Sequence, residues 1–199
     1  MIVKADHHDQ SNIDLEAMPH WRCSSERYLE LINSGTLGPS DKVELINGII
    51  TAMSPAGPEH DYTIVQLTEL LMPVIPKYHL KIQGTINLGE GQIFDPDLVV
   101  YKRREGDTYR HHHPGPDDIL LIIEAAASSM KRDAQVKMPI YARAGIPEYW
   151  IADIENQSLI VHRDPQEAEY ASIQTFQGDA VVQATAVQGL SLTPAAIFA

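Results

Sequence analysis

The chain has 199 residues, of which 44% are hydrophobic and 21% are charged, and its formal net charge is −12. This composition predicts one soluble globular domain with a sizeable core. The surplus of carboxylates argues against a general nucleic-acid-binding surface, although it leaves room for a local basic groove. One cysteine excludes a disulfide framework within the chain, and no apolar run reaches the roughly 18 residues of a membrane span. We therefore expect a cytoplasmic protein.

The first half of the chain contains clear local signals. Residues 1–20 are polar and acidic and are expected to form a mobile tail ahead of a single domain over residues 21–199. The segment "SSERYLELINSG" predicts a short helix with a serine cap. Asn47-Gly48, flanked by apolar residues, is a strong hairpin signal. Apolar residues at a helical period then predict a helix from Asp61 onward.

The second half predicts strands around a central strand–helix–strand unit. "HLKIQGTINLG" and "FDPDLVVYK" are strand-like, "REGDTYRHHHPGPDD" predicts a loop, and "ILLIIEA" is continuously apolar, as a strand covered on both faces would be. A helix is expected from about Met130 to Arg143, kinked at Pro139, and a second hairpin around Glu155-Asn156. The predicted fold class is mixed α/β (α+β), with hairpins on one or both sides of the central strand–helix–strand unit.

Three charged residues lie at or near the ends of segments that should be buried. Asp97 precedes a valine-rich strand, Glu124 ends the continuously apolar strand, and Lys137 lies 13 residues after Glu124. Two convergent buried carboxylates repel each other unless one is protonated or a cation lies between them. Such oxygen ligands suit Mg²⁺ or Mn²⁺. A helix that folds back along its strand would bring the Lys137 ammonium to both acids.

These residues also have a structural interpretation. Asp133 and Lys137, four residues apart, could form a surface ion pair on one helix face. Asp97 could cap a turn, a common use of aspartate. Glu124 at the end of an apolar strand is harder to explain in this way. The succession of aspartate, strand-terminal glutamate and helix lysine favours a functional site.

These segments resemble the PD-(D/E)xK nuclease superfamily and, within it, the Uma-two family of restriction-endonuclease-like proteins. The matching stretches are "ELINGIITAMSPAGPEH", "FDPDLVVY" and "EAAASSMKRDAQVKMPIYARAGIPEYWIAD", and the resemblance covers roughly residues 25–165. It implies a restriction-endonuclease-like fold, in which a central mixed β-sheet is flanked by helices and has the active site at one edge. It also implies magnesium-dependent hydrolysis of phosphodiester bonds.

The resemblance implies roles for individual residues. Asp97 and Glu124 would bind the metal together with the backbone carbonyl of Ala125, and Lys137 would be the catalytic lysine. In the commonest form of the superfamily the lysine lies on the strand, two residues after the acid. This chain has Ala126 at that position, so the resemblance places the lysine on the helix instead.

Other features stay open between two interpretations. Glu44 resembles an additional acidic residue near the family's active site, but it could also simply pair with Lys42 or another cation. His60 matches the family's histidine after the "SP" loop, but it could be a core histidine that donates to a carbonyl. The run His111–His113 looks like a metal site, yet consecutive residues cannot all face one ion from a regular element, so a solvated loop is expected. Residues 102–104 could contact phosphate or be solvated.

The leading hypothesis is a metal-dependent endonuclease acting on duplex DNA. Cutting both strands needs two sites or one site that acts twice, and two-fold symmetry matches that of a duplex, so we expect a homodimer. The alternatives are a nuclease-fold protein that binds without cleaving and a metal-dependent hydrolase of a smaller phosphodiester, to which the net charge of −12 adds weight. Plasmid nicking, binding without cleavage, or activity on small phosphodiesters alone would distinguish the three.

Overall fold

The structure, a computed structural model, describes residues 21–38, 40–106 and 108–199, so the expected N-terminal tail lies outside the described residues. Within these ranges no helix is long and apolar enough to cross a membrane. The helices are α1 Ser25–Asn33, α2 Pro58–Leu71, α3 Thr108–His111, α4 Met130–Arg132, α5 Met138–Arg143 and α6 Pro194–Ile197, with a 3₁₀ turn at Met72–Val74 and a π-helical turn at Asp133–Lys137.

The strands form a six-stranded sheet in the order β10-β9-β8-β7-β6-β3, a four-stranded sheet in the order β2-β1-β5-β4, and a β11–β12 pair. Their bounds are β1 Val43–Ile46, β2 Ile49–Ala52, β3 Tyr78–Ile82, β4 Ile86–Asn87, β5 Ile93–Phe94, β6 Leu98–Lys102, β7 Ile119–Ala126, β8 Glu148–Asp153, β9 Ser158–Gln166, β10 Glu169–Gln177, β11 Val182–Gln183 and β12 Ser191–Leu192. In the larger sheet β7 and β8 are parallel and the other neighbours antiparallel. This mixed sheet with helices on its faces confirms the predicted fold class.

The six-stranded sheet is covered on both faces. On one face Ile123 of β7 belongs to the same core cluster as Leu67 of α2, and on the other face Ile122 belongs to that of Tyr141 of α5. A strand buried in this way has no polar face, which explains the continuous apolar run in β7. Because side chains alternate along a strand, Glu124 lies on the face of Ile122, toward α5.

Both predicted hairpins are present, as β1–β2 and β8–β9. At the first turn Asn47 and Gly48 have φ values of 51° and 75°, the left-handed conformations that a two-residue hairpin turn of this kind requires. A side chain at Gly48 would also place its Cβ 2.8 Å from Cβ of Arg22. Helix α2 begins at Pro58, three residues before the predicted start, because proline suits the first helical position.

The predicted helix from Met130 to Arg143 is present but is not one regular α-helix. α4 and α5 are joined by the π-helical turn, in which the Met138 N–H donates to the carbonyl of Asp133. Pro139 follows at once, and in an α-helix its ring would clash with the carbonyl four residues earlier. The wider turn relieves this crowding, so the distortion expected at Pro139 lies on its N-terminal side.

Candidate active site

Four carboxylates and one ammonium meet where β6 begins and β7 ends. They belong to Glu44 of β1, Asp97 just before β6, Glu124 of β7, and Asp133 and Lys137 of the π-helical turn. Each of the five residues is at most 8% exposed. All of them line one cleft of about 470 Å³. The structure therefore brings together the four side chains that the sequence indicates as catalytic, Asp97, Glu124, Lys137 and Glu44.

Lys137 lies at the centre of this cluster. Its Nζ is 3.0 Å from Oε1 of Glu124, 3.1 Å from Oε1 of Glu44 and 3.9 Å from Oδ1 of Asp133. Burial alone would lower the pKa of Lys137, but the three carboxylates raise it above its ordinary value. The side chain is therefore a buried cation. The alternative of a surface pair between Asp133 and Lys137 is wrong, and the cation that pairs with Glu44 is Lys137.

The acidic groups of the cluster outnumber the cations that pair with them. Burial raises the pKa of Glu124 well above its usual range; Lys137 opposes this rise, and the neighbouring carboxylates add to it. Burial also raises the pKa of Asp133. Nζ of Lys137 lies 3.9 Å or less from three carboxylates, and the carboxylate of Asp97, which is hydrogen-bonded to His60, adds a fourth acidic group near Glu124. The site therefore favours a further cation.

Asp97 and Glu124 each use one carboxylate oxygen for the protein and leave the other almost free. Oδ2 of Asp97 accepts hydrogen bonds from the Ala125 N–H (2.9 Å) and from Nε2 of His60 (3.1 Å). Oε1 of Glu124 accepts from the hydroxyl of Tyr141 (3.1 Å) as well as from the lysine. Oε2 of Glu124 accepts one long bond of 3.3 Å, from the backbone N–H of Asp97. One oxygen of each acid thus remains for a cation.

The backbone of Ala125 adds a third oxygen. Its N–H points toward Asp97, whereas the carbonyl of Ala126 accepts the N–H of Ile154 on the β8 side. Because the N–H and C=O of one strand residue point the same way and those of the next residue point oppositely, the Ala125 carbonyl faces Asp97. Mg²⁺ is usually held by one or two carboxylates and keeps several waters, so this oxygen set fits it.

The described residues contain no group of three or more His, Cys, Asp or Glu side chains arranged to hold a metal ion. An ion at Asp97 and Glu124 would therefore complete its coordination with the Ala125 carbonyl, water and substrate oxygens. That arrangement suits a site that opens into a cleft, because coordination positions stay available for a phosphate group.

Comparison with known proteins identifies the family. The Uma2 family model, described as "Putative restriction endonuclease", matches residues 25–195. The chain belongs to the Uma2 family. The fold is similar to the crystal structure of "a putative nuclease belonging to DUF820" from Anabaena variabilis ATCC 29413, with a TM-score of 0.66 and 18% sequence identity over 87% of this chain and 96% of that chain. The comparison with curated proteins found no match.

Membership of the Uma2 family confirms the resemblance seen in the sequence and supports a nuclease function. The solved structure, at its low identity, supports the fold alone. The matched range of the family model extends beyond the region of resemblance, from about residue 165 to residue 195. It therefore includes the C-terminal strands as well as the cleft.

Two further residues contact the acids of the cleft. The sequence left the partner of the first residue open and did not indicate the second residue at all. His60, in the first turns of α2, bonds to Asp97 rather than to a backbone carbonyl, and this hydrogen bond raises the pKa of His60. Tyr141 contacts Glu124, although in the sequence it looks like an ordinary aromatic residue of the core. Its position four residues after Lys137 was an available signal, because residues so spaced share a helix face.

Other charged residues of the chain lie elsewhere. The His111–His113 run is exposed, as expected for a solvated segment, but the region predicted as a loop contains the short helix α3. Lys131, the lysine nearest the end of β7, is exposed and does not line the cleft. Lys137 is therefore the lysine that the helix delivers to the carboxylates.

Proposed function

We propose that this protein is a divalent-metal-dependent endonuclease that hydrolyses phosphodiester bonds of DNA. The observation that carries the proposal is the pair of available carboxylate oxygens on Asp97 and Glu124 beside the buried ammonium of Lys137, at the wall of an open cleft. Family membership supports nuclease activity in general. The two carboxylates and their excess of negative charge support the proposed metal requirement, and the description of the family as a "Putative restriction endonuclease" supports the proposed DNA substrate.

Asp97, Glu124 and the Ala125 carbonyl would hold Mg²⁺ or Mn²⁺, which supplies Lewis-acid stabilisation of phosphate charge and makes a bound water more acidic. The protein orients both acids in advance. His60 and the Ala125 N–H hold Asp97, while Tyr141 holds Glu124. Because these bonds already exist, neither carboxylate needs to reorganise when a phosphate enters the cleft.

Lys137 supplies positive charge to the reacting phosphate. Two of its three N–H donors bond to Glu124 and Glu44, which leaves one donor for a phosphate oxygen. Such a pre-oriented donor stabilises the negative charge that develops on the phosphate in the transition state. Glu44 holds the ammonium in place and also accepts the backbone N–H of Asp95 (3.1 Å), which ties β1 to the segment before Asp97.

We expect a homodimer on a duplex substrate, because two sites related by two-fold symmetry can reach both strands of one duplex. Sedimentation at micromolar concentration measures the oligomeric state. A monomer under conditions in which linear double-strand breaks accumulate would contradict this part of the proposal.

Nicking of supercoiled plasmid tests the proposed activity. We expect cleavage with Mg²⁺ or Mn²⁺, no cleavage with EDTA, and no cleavage by Asp97→Asn, which keeps the shape of the side chain but loses the anionic ligand. Asp179→Asn is the matched control, since Asp179 is exposed and lies outside the cleft. Plasmid binding without cleavage would identify a binding protein instead, and cleavage of small phosphodiesters alone would identify a different substrate class.

Thermal melting tests the metal site independently of activity. An ion that binds the folded state raises the melting temperature by mass action. We expect Mg²⁺ to raise Tm for the wild type and for Asp179→Asn, but not for Asp97→Asn. An equal rise in Asp97→Asn would show that the ion binds somewhere else.

A further inference from the structure

One region of this acidic chain lacks the negative excess of the rest. Residues 77–113 carry six of the 15 lysines and arginines, five of the 27 acidic residues and four of the nine histidines. The rest of the chain carries nine basic against 22 acidic residues. This region contains the edge strand β3 and its neighbour β6, which begins beside Asp97. Lys102 and the two arginines that follow it lie at the end of β6 opposite to Asp97, close to Asp117 and Asp118, so the contacts of each cation decide which charges are available there.

Two cations of this region are oriented by neutral groups. Nζ of Lys102 donates to the carbonyl of Asp117 (2.7 Å), and Nη2 of Arg103 donates to the carbonyl of Ile75 (2.8 Å). Arg104, by contrast, forms an ion pair with Asp118. A carbonyl orients a cation without cancelling its charge. Lys102 and Arg103, which we call the basic corner, are thus exposed cations with formal charge still available to an anion.

Packed aromatic side chains support the basic corner. The hydroxyl of Tyr109 donates to the Lys102 carbonyl (3.0 Å), and its ring packs edge-on against Tyr101 (4.9 Å) and His79 (5.7 Å between centroids). Burial and the charge of Arg103 both lower the pKa of His79. The two cations therefore project from an ordered surface, so little conformational entropy is lost when they bind a ligand.

The position of the basic corner matches the geometry of a DNA backbone. Lys102 lies five residues beyond Asp97, about 17 Å along an extended strand. Phosphates of one DNA strand are spaced about 3.4 Å apart along the helix axis, so this distance corresponds to about five base pairs. We propose that Lys102 and Arg103 contact the phosphate backbone of duplex DNA about five base pairs from the phosphate that is cleaved. This inference rests on the proposed function.

The salt dependence of binding tests the inference. We compare the double variant Lys102→Gln/Arg103→Gln with the matched control Lys131→Gln/Arg143→Gln, which removes the same charge from two exposed positions elsewhere. Binding of a duplex of about 20 base pairs is measured in EDTA over a range of salt concentrations. Each lost phosphate contact should reduce the slope of log K against log salt by about 0.9. The corner variant should lose about two units of slope and bind at least fivefold more weakly, while the control keeps both values.

A corner variant with the wild-type slope, or equal losses in both double variants, would overturn the inference. Should the double variant melt early, Lys102→Gln alone provides the same test with about half the change in slope, since glutamine can still donate to the Asp117 carbonyl. Hydrolysis of bis(p-nitrophenyl) phosphate, which is too short to span about 17 Å, should be unchanged in the corner variant. A wild type that hydrolyses neither this ester nor plasmid contradicts the proposed function, whereas the binding test still decides the inference.

Discussion

The protein buries two clusters of opposite charges that are built differently. Glu148 faces Nε of Arg163 at 2.6 Å and accepts the backbone N–H groups of Thr185 and Ala186, both at 2.9 Å. This cluster is balanced, because one carboxylate meets one guanidinium and its oxygens are hydrogen-bonded. At the cleft, the carboxylates of Glu44, Glu124 and Asp133 share the ammonium of Lys137, the carboxylate of Asp97 lies beside them, and Oε2 of Glu124 accepts only one long hydrogen bond. The carboxylates of both clusters are buried, but the clusters differ in charge balance.

The difference separates a stabilising ion pair from a functional one. A buried charge costs free energy unless partners compensate it, and the Glu148 cluster supplies those partners. The Glu148 cluster also ties the 185–186 segment to β8 and β9, which is a structural task. The cleft cluster keeps an excess of negative charge, which costs stability but attracts a dication. Charge balance, rather than burial, therefore indicates which cluster acts on a substrate.

The largest effect is expected for Lys137→Met, which keeps the apolar stem and removes the charge. Loss of an electrostatic stabiliser of this kind typically lowers the rate by about 10²–10³. Because the carboxylates of Glu44, Glu124 and Asp133 then lack their counter-charge, Tm should also fall, and Mg²⁺ should restore part of the loss. Initial rates of plasmid nicking and melting curves provide the measurements. Lys131→Met is the control, and its nicking rate should stay within a few-fold of the wild-type rate. A large loss of rate in Lys131→Met but not in Lys137→Met would assign the catalytic lysine to Lys131.

Glu148→Gln should show the opposite combination of effects. Breaking a buried pair costs about 3 kcal/mol when the partner is partly exposed, as Arg163 is, and this corresponds to a Tm lower by about 6–12 °C in a chain of this size. Cleavage below the transition should change little, because Glu148 does not line the cleft. Glu155→Gln, at an exposed position, controls for the loss of a charge. An unchanged Tm for Glu148→Gln would refute the stabilising role of the balanced cluster.

Asp133→Asn should raise stability, because it removes one of the surplus carboxylates. Replacing part of an unbalanced buried cluster with a neutral group stabilises by about 1 kcal/mol, or about 2–4 °C in Tm. The pKa of Asp133 is raised in the folded state, so its charged form destabilises the fold at alkaline pH. The gain should therefore be largest near pH 8, decline as pH falls through the raised pKa, and disappear below the ordinary pKa of aspartate, where the carboxyl is protonated in both the folded and the unfolded chain.

Melting curves of Asp133→Asn and the exposed control Asp179→Asn across this pH range test the sign of the effect. The control should follow the wild type at every pH. A lower Tm for Asp133→Asn at all pH values would mean that Asp133 is needed to balance Lys137. That result would contradict the conclusion that the cleft cluster carries surplus negative charge.

The smallest effect is expected for Tyr141→Phe, which retains the ring contacts with Phe94 and Tyr149 but loses the hydroxyl that holds Glu124. One hydrogen bond contributes about 1 kcal/mol, so cleavage should fall about fivefold. The Mg²⁺ concentration for half-maximal rate should rise, since Glu124 is less well oriented. Tyr170→Phe loses a similar buried bond, to the Ile146 carbonyl, and is the control. Equal effects of both variants on metal dependence would exclude a positioning role for Tyr141.

Much of the fold could be predicted because its signals are local. Asn47-Gly48 determines a hairpin through its allowed φ and ψ values, and the uninterrupted apolar run of β7 indicates a strand covered on both faces. Asp97, Glu124 and Lys137 could be singled out because charges at the ends of buried segments need partners. The start of α2 was placed three residues too late, because the helical signal of Pro58 was overlooked, and the short helix α3 was missed, because its segment has the polar composition of a loop.

By itself, the sequence determined the central strand–helix–strand unit, the two hairpins and the acids and lysine of the cleft, because periodicity and backbone preference act over a few neighbouring residues. Only the tertiary structure decided that His60 holds Asp97, that Tyr141 holds Glu124, and that a π-helical turn delivers Lys137. The first contact joins residues 37 positions apart, which depends on how α2 packs against the sheet. Charge balance, too, is a property of packing, because a carboxylate becomes costly or useful only when its burial and its neighbours are set.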